Sequence, residues 1–453
     1  MKSAWAFAFA NLRRNRKRNL ATVAAIAFGY AGLVLLGGYA VRIERFLKAN
    51  AVFIQHANHV AVWVQGGLDN AAAEPDKYQF DKAQTDTILA WAKGDKRVER
   101  ATRYLRGFGM AGNACATRPA NLLGIDPQEH AALLQHPELL EASPELARPA
   151  QGQWAYQVKD APRGVALAAG LQKVLQKPKV FDEVRGRPPA PTVLDCDTPK
   201  AVEQLAADAD IQIVGQTYDG TLNAVDGQMV ASFHAAEPIA EDTAMIVPLA
   251  SLQTLYATER ITYVGLLLHD SADAGQVALD LKAALAAKDM KTDTYTYADQ
   301  TWAPYYVGTM AFLGSMVGFI TMLVTAVLVF TVAGAMTLAI LERLREFGTW
   351  RALGFERGHV VGLLVRESLL VSLIGLAVGL AIGLCAAFAI NSGGFRFSPP
   401  GVAGSIQLLI TPAVWACAAQ AMLLPPGIMV ATWWVVRGQM RKKPVDLLNA
   451  ATA

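Results

Sequence analysis

The stretch Leu341-Glu-Arg-Leu-Arg-Glu-Phe-Gly-Thr-Trp-Arg-Ala-Leu-Gly354 is a short charged sequence between two long apolar ones. This charged segment (residues 341–354) is too short to form a domain and too charged to lie in lipid. Phe347, Trp350 and Leu353 recur every three positions, so a helix would present them as one apolar ridge. We therefore predict a helix that docks onto a partner. The alternative is a solvated loop, which would leave the ridge exposed to water.

The other residues of the charged segment fit the same use. Glu346 and Arg351 offer charges to a partner groove, while Gly348 and Gly354 permit close approach and a turn out of the helix. The predicted docking residues are Glu346, Phe347, Gly348, Trp350, Arg351, Ala352, Leu353 and Gly354.

Four uncharged stretches outside this segment are long enough to cross a bilayer. The chain has 453 residues, of which 53% are hydrophobic and 17% are charged. This composition is more typical of membrane proteins than of soluble proteins. The uncharged runs are 20–41, 305–341, 368–390 and 408–436, each longer than the roughly 18 residues that identify a span. Residues 310–340 alone make about 46 Å of helix, so the second span is predicted to extend outward as a stalk. Pro425-Pro426 predicts a kink or break in the fourth.

Basic residues set the predicted orientation. They cluster before the first span (13–18), within the 341–359 loop and after the fourth span (437–443), whereas the 391–407 loop has only Arg396. The positive-inside rule therefore puts both termini and the charged segment inside and the large domain outside. The net charge of only +3, with a span following directly, favours topology over nucleic-acid binding as the reason for the basic clusters. The length of the first apolar run favours a retained anchor over a cleaved signal peptide.

The predicted organisation is a four-span α-helical membrane protein with a large α+β extracytoplasmic domain inserted between spans 1 and 2. The predicted divisions are a cytoplasmic N-terminus (1–19), a first span and stalk (20–47), the outer domain (48–300), a second span with stalk (301–341), a cytoplasmic helix loop (342–358), a third span (359–390), an outer loop (391–407), a fourth span (408–436) and a cytoplasmic tail (437–453).

Within the outer domain, residues 68–162 are rich in Ala, Glu, Pro and charge and are predicted to form an inserted subdomain. Apolar spacing predicts helices at 81–93, 128–136, 165–175 and 271–288, and strands at 59–64, 192–195, 211–214 and 261–269.

The sequence contains no motif for nucleotide binding or catalysis. It has no Gly-x-x-x-x-Gly-Lys-[Ser/Thr], no Gly-x-Ser-x-Gly and no His-Glu-x-x-His, so we expect no enzyme activity and no cofactor on this chain. His56 and His59 lack a third metal ligand and are interpreted as a polar surface near the membrane. Cys115 and Cys196 both fall in the outer domain, where an oxidising compartment permits one disulfide; whether they pair stays open at this stage.

Gly375, Gly379 and Gly383 repeat every four residues through the third span. Such a small-x-x-x-small stripe lets another helix pack closely, although glycine is also simply common in spans.

The segment Glu346-x-Gly348-x-x-Arg351-Ala352-x-Gly354 after a long span resembles the cytoplasmic signature of MacB/LolCE/FtsX-type permeases, the membrane subunits of type VII ABC transporters. The resemblance continues in the sequences at 11–18, 367–375 and 443–448, and in the outer domain at 123–127, 246–249 and 252–253, which are similar to pieces of a MacB-type periplasmic core. Trp350 stands where the family usually has a smaller aliphatic residue, and the gap from Pro426 to Pro444 exceeds the usual one. Residues 68–162 resemble the family least.

The resemblance implies a role, a location and partners. The charged segment would be the coupling helix for an ABC ATPase dimer that binds ATP and Mg on its own chains, in the bacterial inner membrane, beside a second copy of this chain or a similar permease. The cargo would be a lipid, lipoprotein, peptide or hydrophobic compound at the outer side of the membrane, with a periplasmic carrier or outer-membrane protein as a further partner, membrane lipids around the spans and no nucleic acid. The alternative is an FtsX-like signal transmitter that activates an extracytoplasmic cell-wall hydrolase.

Overall fold

The structure is a computed structural model that describes residues 16–159, 161–184, 207–235, 240–397, 406–412 and 414–441, together with positions 9, 196–198, 203 and 205. The chain divides into two units. The helical unit comprises Met1–Glu44, Met310–Phe395 and Gln407–Ala453, and the sheet domain comprises Arg45–Thr309 and Arg396–Ile406.

The helices are described in chain order. They are α1 (Arg16–Ala49), α2 (Gly67–Asn70), α3 (Pro75–Tyr78), α4 (Lys82–Gly94), α5 (Pro127–Leu134), α6 (Pro137–Ala142), α7 (Ala169–Val174), α8 (Phe181–Val184), α9 (Leu249–Tyr256), α10 (Ala274–Ala286), α11 (Pro304–Glu342), α12 (Leu344–Ala352), α13 (Arg357–Ser392) and α14 (Val414–Met440). A π-helical turn, Asn50–Ile54, follows α1, and 3-10 turns lie at Ala155–Gln157 and Ser271–Asp273.

The strands are also described in chain order. They are β1 (Val60–Val64), β2 (Val98–Gly112), β3 (Thr117–Ile125), β4 (Gln151–Gly152), β5 (Gly164–Ala168), β6 (Asp210–Gln216), β7 (Leu222–Phe233), β8 (Ala244–Pro248), β9 (Tyr263–Leu268) and β10 (Thr292–Thr296), with the short pair β11 (Arg396–Phe397) and β12 (Ile406–Gln407).

Within the described residues, four helices are long and apolar enough to cross a membrane. They are Asn19–Ile54, Pro304–Glu342, Arg357–Ser392 and Cys417–Met440. The prediction of four spans with an α+β domain between the first and second is confirmed.

The fourth helix differs from its prediction in two ways. It begins at Val414 rather than 408, because the backbone before it is hydrogen-bonded to a side chain instead of to a helix. The Asn391 side chain accepts a hydrogen bond from the Ile410 amide (2.8 Å) and donates one to the Ile410 carbonyl (3.0 Å). It then continues through Pro425 and Pro426, so of the two predicted effects of the proline pair, a kink or a break, the break is wrong. The ring fixes φ near a helical value, and what the pair removes is two N–H donors.

One mixed sheet forms the sheet domain. Its ten described strands run in the order β10-β1-β9-β2-β3-β8-β5-β7-β4, with β6 paired to both β2 and β7. The pairs β3–β8 and β5–β7 are parallel, and the other paired neighbours are antiparallel.

Two predictions in this domain are wrong. Residues 68–162 are not an inserted subdomain, because they supply β2 and β3, which pair with each other and with β9, β6 and β8 in the middle of the sheet. Residues 165–175 are not one helix: β5 occupies Gly164–Ala168 and α7 follows. All five residues of β5 are buried, so the run lacks the alternation that identifies a strand. The predicted strand at 192–195 lies outside the described residues.

Helices cover one face of the sheet. Ile88 of α4 and Leu281 of α10 are buried with Val62 and Val264 of the strands below, and Leu252 of α9 is buried with the neighbouring strands β2 and β3. The α10 side chains that are buried follow a helical period, namely Ala274, Val277, Ala278, Leu281 and Leu285.

Aromatic rings cover the opposite face. Tyr263 of β9 lies opposite Trp63 of β1 and Tyr104 of β2 in the strand register. Its ring stacks on both, with centroids 4.8 Å from Trp63 and 4.5 Å from Tyr104. Trp302 meets the stack edge-on, 5.3 Å from Tyr263. We call Trp63, Tyr104, Tyr263 and Trp302 the aromatic stack.

A disulfide joins Cys115, in the turn between β2 and β3, to Cys196, 81 residues later. The sequence left open whether Cys115 and Cys196 pair, and in the structure they do.

Candidate functional site

The charged segment forms α12, between the end of α11 at Glu342 and the start of α13 at Arg357. Phe347 is its buried centre, with none of its side chain exposed. One buried cluster contains Phe347, its neighbour Leu344 in α12, and residues of all three adjacent helices, namely Ile340, Val360, Leu364, Val436 and Met440. Phe347 thus fixes α12 to the ends of α11, α13 and α14.

The predicted apolar ridge is therefore divided. Phe347 faces the chain's own helices rather than a partner, and Trp350 packs partly against it with ring centroids 5.5 Å apart. Leu353 is 75% exposed and Trp350 is of intermediate burial, so these two residues are the part of the ridge that another molecule could contact. Phe347 is not available to a partner, because it is covered by residues 360–364 and 436–440, which local sequence spacing does not reveal.

An exposed apolar turn follows the helix. Leu353 and Phe355, 55% exposed, flank Gly354, whose φ of +94° lies in the region that favours glycine. Ala352 is exposed as well, and a Cβ on Gly354 would meet no atom within 4 Å. We call residues 352–355 the tip. It offers a small apolar surface with room around it.

Charges link the base of α12 to the third span. Arg343 is bonded to Glu346 at 3.1 Å, and its guanidinium lies 3.6 Å from the carboxylate of Glu367, which is almost fully buried. Glu346 remains about half exposed, and Gly348 is buried. The side chain of Arg351 lies outside the described part of the structure. Sequence reasoning did not identify Arg343 as a link between α12 and the third span. Its only sequence signal is its position just after a long uncharged run.

The glycine stripe of α13 faces α1. A Cβ on Gly379 would lie 2.6 Å from the carbonyl oxygen of Ala27, and one on Gly375 would lie 2.7 Å from Cγ2 of Ile26. A Cβ on Gly383 would lie 3.1 Å from Val34. Because at Gly379 the obstacle is backbone, any larger residue would force the two helices apart. The functional roles assigned to the stripe and to α12 stay predictions.

His56 and His59 are buried in the sheet domain, so their interpretation as a polar surface is wrong. His59 lies 3.3 Å from Glu138, whose other carboxylate oxygen is 2.6 Å from Lys48. Burial raises the pKa of Glu138, but hydrogen bonds from His59 and Lys48 outweigh it and lower that pKa to about 2. Among the described residues, no group of three His, Cys, Asp or Glu side chains is placed to hold a metal.

Comparison with known families decides what the helical unit is. The model of the FtsX-like permease C-terminal region matches residues 307–445, which contain α11, the charged segment, α13 and α14. These residues form an FtsX-like permease region. The family match thus covers the part of the chain that contains α12 and the glycine stripe.

Solved structures are similar to the chain over about half of its length. The periplasmic region of MacB from Actinobacillus actinomycetemcomitans aligns at 10% identity and a TM-score of 0.31, covering 52% of this chain and 88% of that one. The extracellular domain of the noncanonic ABC-type transporter YknZ from Gram-positive bacteria aligns at 10% identity and a TM-score of 0.29, covering 52% and 99%. No curated protein matches the chain.

Proposed function

We propose that the chain is the permease subunit of an ATP-driven ABC transporter of the bacterial inner membrane, driven by a separate ATPase dimer that binds ATP and Mg. The ATPase docks on the tip and moves α12. The permease transmits that movement to its extracytoplasmic domain, which moves or extracts a hydrophobic cargo. The observation that carries the proposal is the construction of α12: an exposed apolar end on a helix whose other face is buried.

The packing around Phe347 supports transmission of movement. A displacement of α12 with Phe347 fully enclosed shifts the side chains it touches, because a packed core is dense and has no space to absorb the motion. Those side chains belong to α11, α13 and α14, so one input acts on three membrane helices. The Arg343–Glu367 ion pair adds a second link from the base of α12 to α13.

The lengths of α1 and α11 support transmission along these helices. They span Arg16–Ala49 and Pro304–Glu342, and both are longer than the roughly 20 residues that a bilayer requires. Within α11, large apolar side chains including Phe312, Phe319 and Phe330 are exposed, which suits a surface in contact with lipid or with a second permease copy.

Leu353→Asp tests the docking role. The side chain is largely exposed, so the charge should cost little stability, yet it would oppose burial of the tip in an apolar groove. We expect ATPase subunits to be lost from the complex purified in mild detergent, with the yield of folded permease unchanged. Unchanged ATPase co-purification would contradict the proposal.

Two further variants serve as controls. Leu279→Asp places the same charge on an exposed leucine of α10 in the sheet domain and should leave co-purification intact. Phe347→Ala opens a cavity beneath α12 and should lower stability by about 3 kcal/mol, which separates loss of folding from loss of docking.

A further inference from the structure

A cavity of ≈ 600 Å³ lies in the sheet domain over the open part of the sheet. Its walls are mostly apolar, with Phe108, Leu123 and Ile246 from strands β2, β3 and β8, and with Trp63 and Trp302 of the aromatic stack at one end. A volume of this size, lined by apolar and aromatic side chains with few polar groups, is typical of a small-molecule site.

One cation faces this apolar cavity. Arg106 lines it, and its side chain is exposed. The guanidinium carbon lies 5.1 Å from the ring centre of Trp302, 5.2 Å from Tyr263 and 5.9 Å from Trp63. None of the ion pairs formed among the described residues includes Arg106. The aromatic faces and a hydrogen bond to Tyr263 orient the guanidinium without neutralising it, so its charge and its remaining donors are open to an anion.

A buried polar atom adds a second, independent sign of a ligand. His56 lines the same cavity, is 4% exposed and holds its backbone at φ +58°. Its Nε2 is enclosed and has no hydrogen-bond partner among the described residues. An unpaired buried polar atom costs free energy unless a bound group or water satisfies it. Burial, with the neighbouring His130 and Arg106, holds the pKa of His56 well below its usual value, although a hydrogen bond to the backbone of Ile54 opposes this shift, so the ring is neutral. With one ring nitrogen donating to Ile54, the unpaired Nε2 is an acceptor for a hydroxyl group or a water beside the headgroup.

From these features we infer that the cavity binds an anionic amphiphile, with an acidic headgroup on Arg106 beside His56 and an apolar chain along Phe108, Leu123 and Ile246. The charge requires an acid, because an uncharged hydrocarbon would leave the guanidinium desolvated and unpaired. The lining requires a chain, because a small hydrophilic anion would leave the apolar wall in water. Phe108 is 65% exposed, and a bound chain would cover it.

This inference deepens the proposed function by naming a class of cargo, and it rests on that function only for the role of cargo. Binding needs neither ATP nor an ATPase. A failure of binding therefore leaves the docking test of Leu353 untouched, and a failure of docking leaves the binding result untouched.

The experiment uses the full-length permease in nanodiscs of zwitterionic lipid. A photoreactive palmitate analogue, with a diazirine in its chain, is crosslinked to the protein and the labelled peptides are mapped by mass spectrometry. We expect labelling on β2, β3 and β8, competed by palmitate at least about tenfold better than by hexadecanol, which has the same chain and no charge. Labelling confined to the membrane helices, or equal competition by the acid and the alcohol, would overturn the inference.

Three variants sharpen the result. Arg106→Gln should weaken palmitate competition about tenfold or more and change hexadecanol competition little. Arg118→Gln removes an exposed arginine of the same domain and should behave as the native protein. Ala244→Trp fills the cavity from β8 and should reduce labelling by the photoreactive palmitate analogue. If Arg106→Gln, shown to be folded by its thermal midpoint, retained native palmitate competition, the headgroup assignment would be wrong. Competition by hexadecyl phosphate that exceeds competition by palmitate would assign a phosphate rather than a carboxylate headgroup, and both results support an anionic ligand.

Discussion

The contact of α13 with α1 and the aromatic stack of the sheet domain solve the same packing problem in opposite ways. In the helical unit, Gly375, Gly379 and Gly383 let backbones approach because they have no side chain. In the sheet domain, adjacent strands are covered by three stacked rings. In lipid no hydrophobic effect drives helices together, so close van der Waals contact is the available source of attraction. In water, the burial of large apolar rings stabilises the packing through the hydrophobic effect. Sensitivity to mutation should therefore have opposite sign in the two regions: added volume harms one, removed volume harms the other.

Removing volume from the aromatic stack should have the largest effect. Tyr263→Ala deletes the central ring, which is fully buried between two others, and should lower the free energy of unfolding by about 3–5 kcal/mol. The measurement is the thermal midpoint of the purified permease. Leu222→Ala, at an 81% exposed residue of β7, is the control and should change stability by less than about 0.5 kcal/mol. Equal shifts for the two variants would show that the stack is not a core.

Adding volume to the glycine stripe should come second. Gly379→Leu places a side chain against the Ala27 carbonyl and should cost about 2–3 kcal/mol by separating α13 from α1. Gly318→Leu is the matched control on α11, where a Cβ meets no atom within 4 Å. Thermal midpoints of both variants in the same detergent provide the test. A Gly379→Leu protein as stable as Gly318→Leu would mean that α13 and α1 do not pack through the glycines.

A smaller effect is expected for the polar contacts of Glu138 with Lys48 and His59, near the end of α1. Because the pKa of Glu138 is lowered to about 2 in the folded protein, its contribution is present above the unfolded value of about 4.5 and is lost as pH falls toward 2. Glu138→Gln should cost about 1–2 kcal/mol near neutral pH, after allowance for partial exposure, and the difference from the native protein should shrink below pH about 4.5. Glu141→Gln, in the exposed pair with Arg45, should show little loss and little pH dependence. A difference that stays constant down to pH 2 would count against the Lys48–Glu138–His59 link.

The smallest effect concerns the tip. Gly354→Ala has room for its methyl group but requires a left-handed backbone, so we expect a loss of about 1 kcal/mol in stability. Gly358→Ala, in the first turn of α13, has the same open space without the unusual φ and should leave stability unchanged or slightly raised. The comparison of the two thermal midpoints isolates backbone strain from steric effects. A stabilised Gly354→Ala protein would indicate that the turn is not held at positive φ.

Sequence reasoning found the features that depend on local composition. The uncharged runs predicted the four spans, and the small-residue spacing at 375–383 predicted a face for close packing. It did not show that α1 is the partner of that face, since the partner lies more than 340 residues away. Phe347 was misjudged for the same reason: spacing gives the face of a helix, whereas its cover comes from α13 and α14.

The sheet was harder to predict because its strands are atypical. β5 is buried throughout. On the exposed face of β2, Phe108 and Met110 stand beside Arg106 at positions where polar residues would be expected. Arg106 and His56 were not identified as a candidate site, because they lie 50 residues apart and meet only when β2 is placed beside the turn before β1. A single arginine among apolar residues of a strand is the one local signal, and it is common to many exposed strands.

The disulfide between Cys115 and Cys196 indicates the compartment in which the sheet domain completes its folding. Such a bond persists outside the reducing cytosol, so it forms only after the polypeptide between α1 and α11 has been translocated. Its formation is therefore a reporter of export: chains retained inside would carry two alkylatable thiols in this domain, and exported chains would carry none. The linkage also joins the turn between β2 and β3 to a residue 81 positions later, so the fragments of an exported chain cut between Cys115 and Cys196 should separate on a denaturing gel only after reduction.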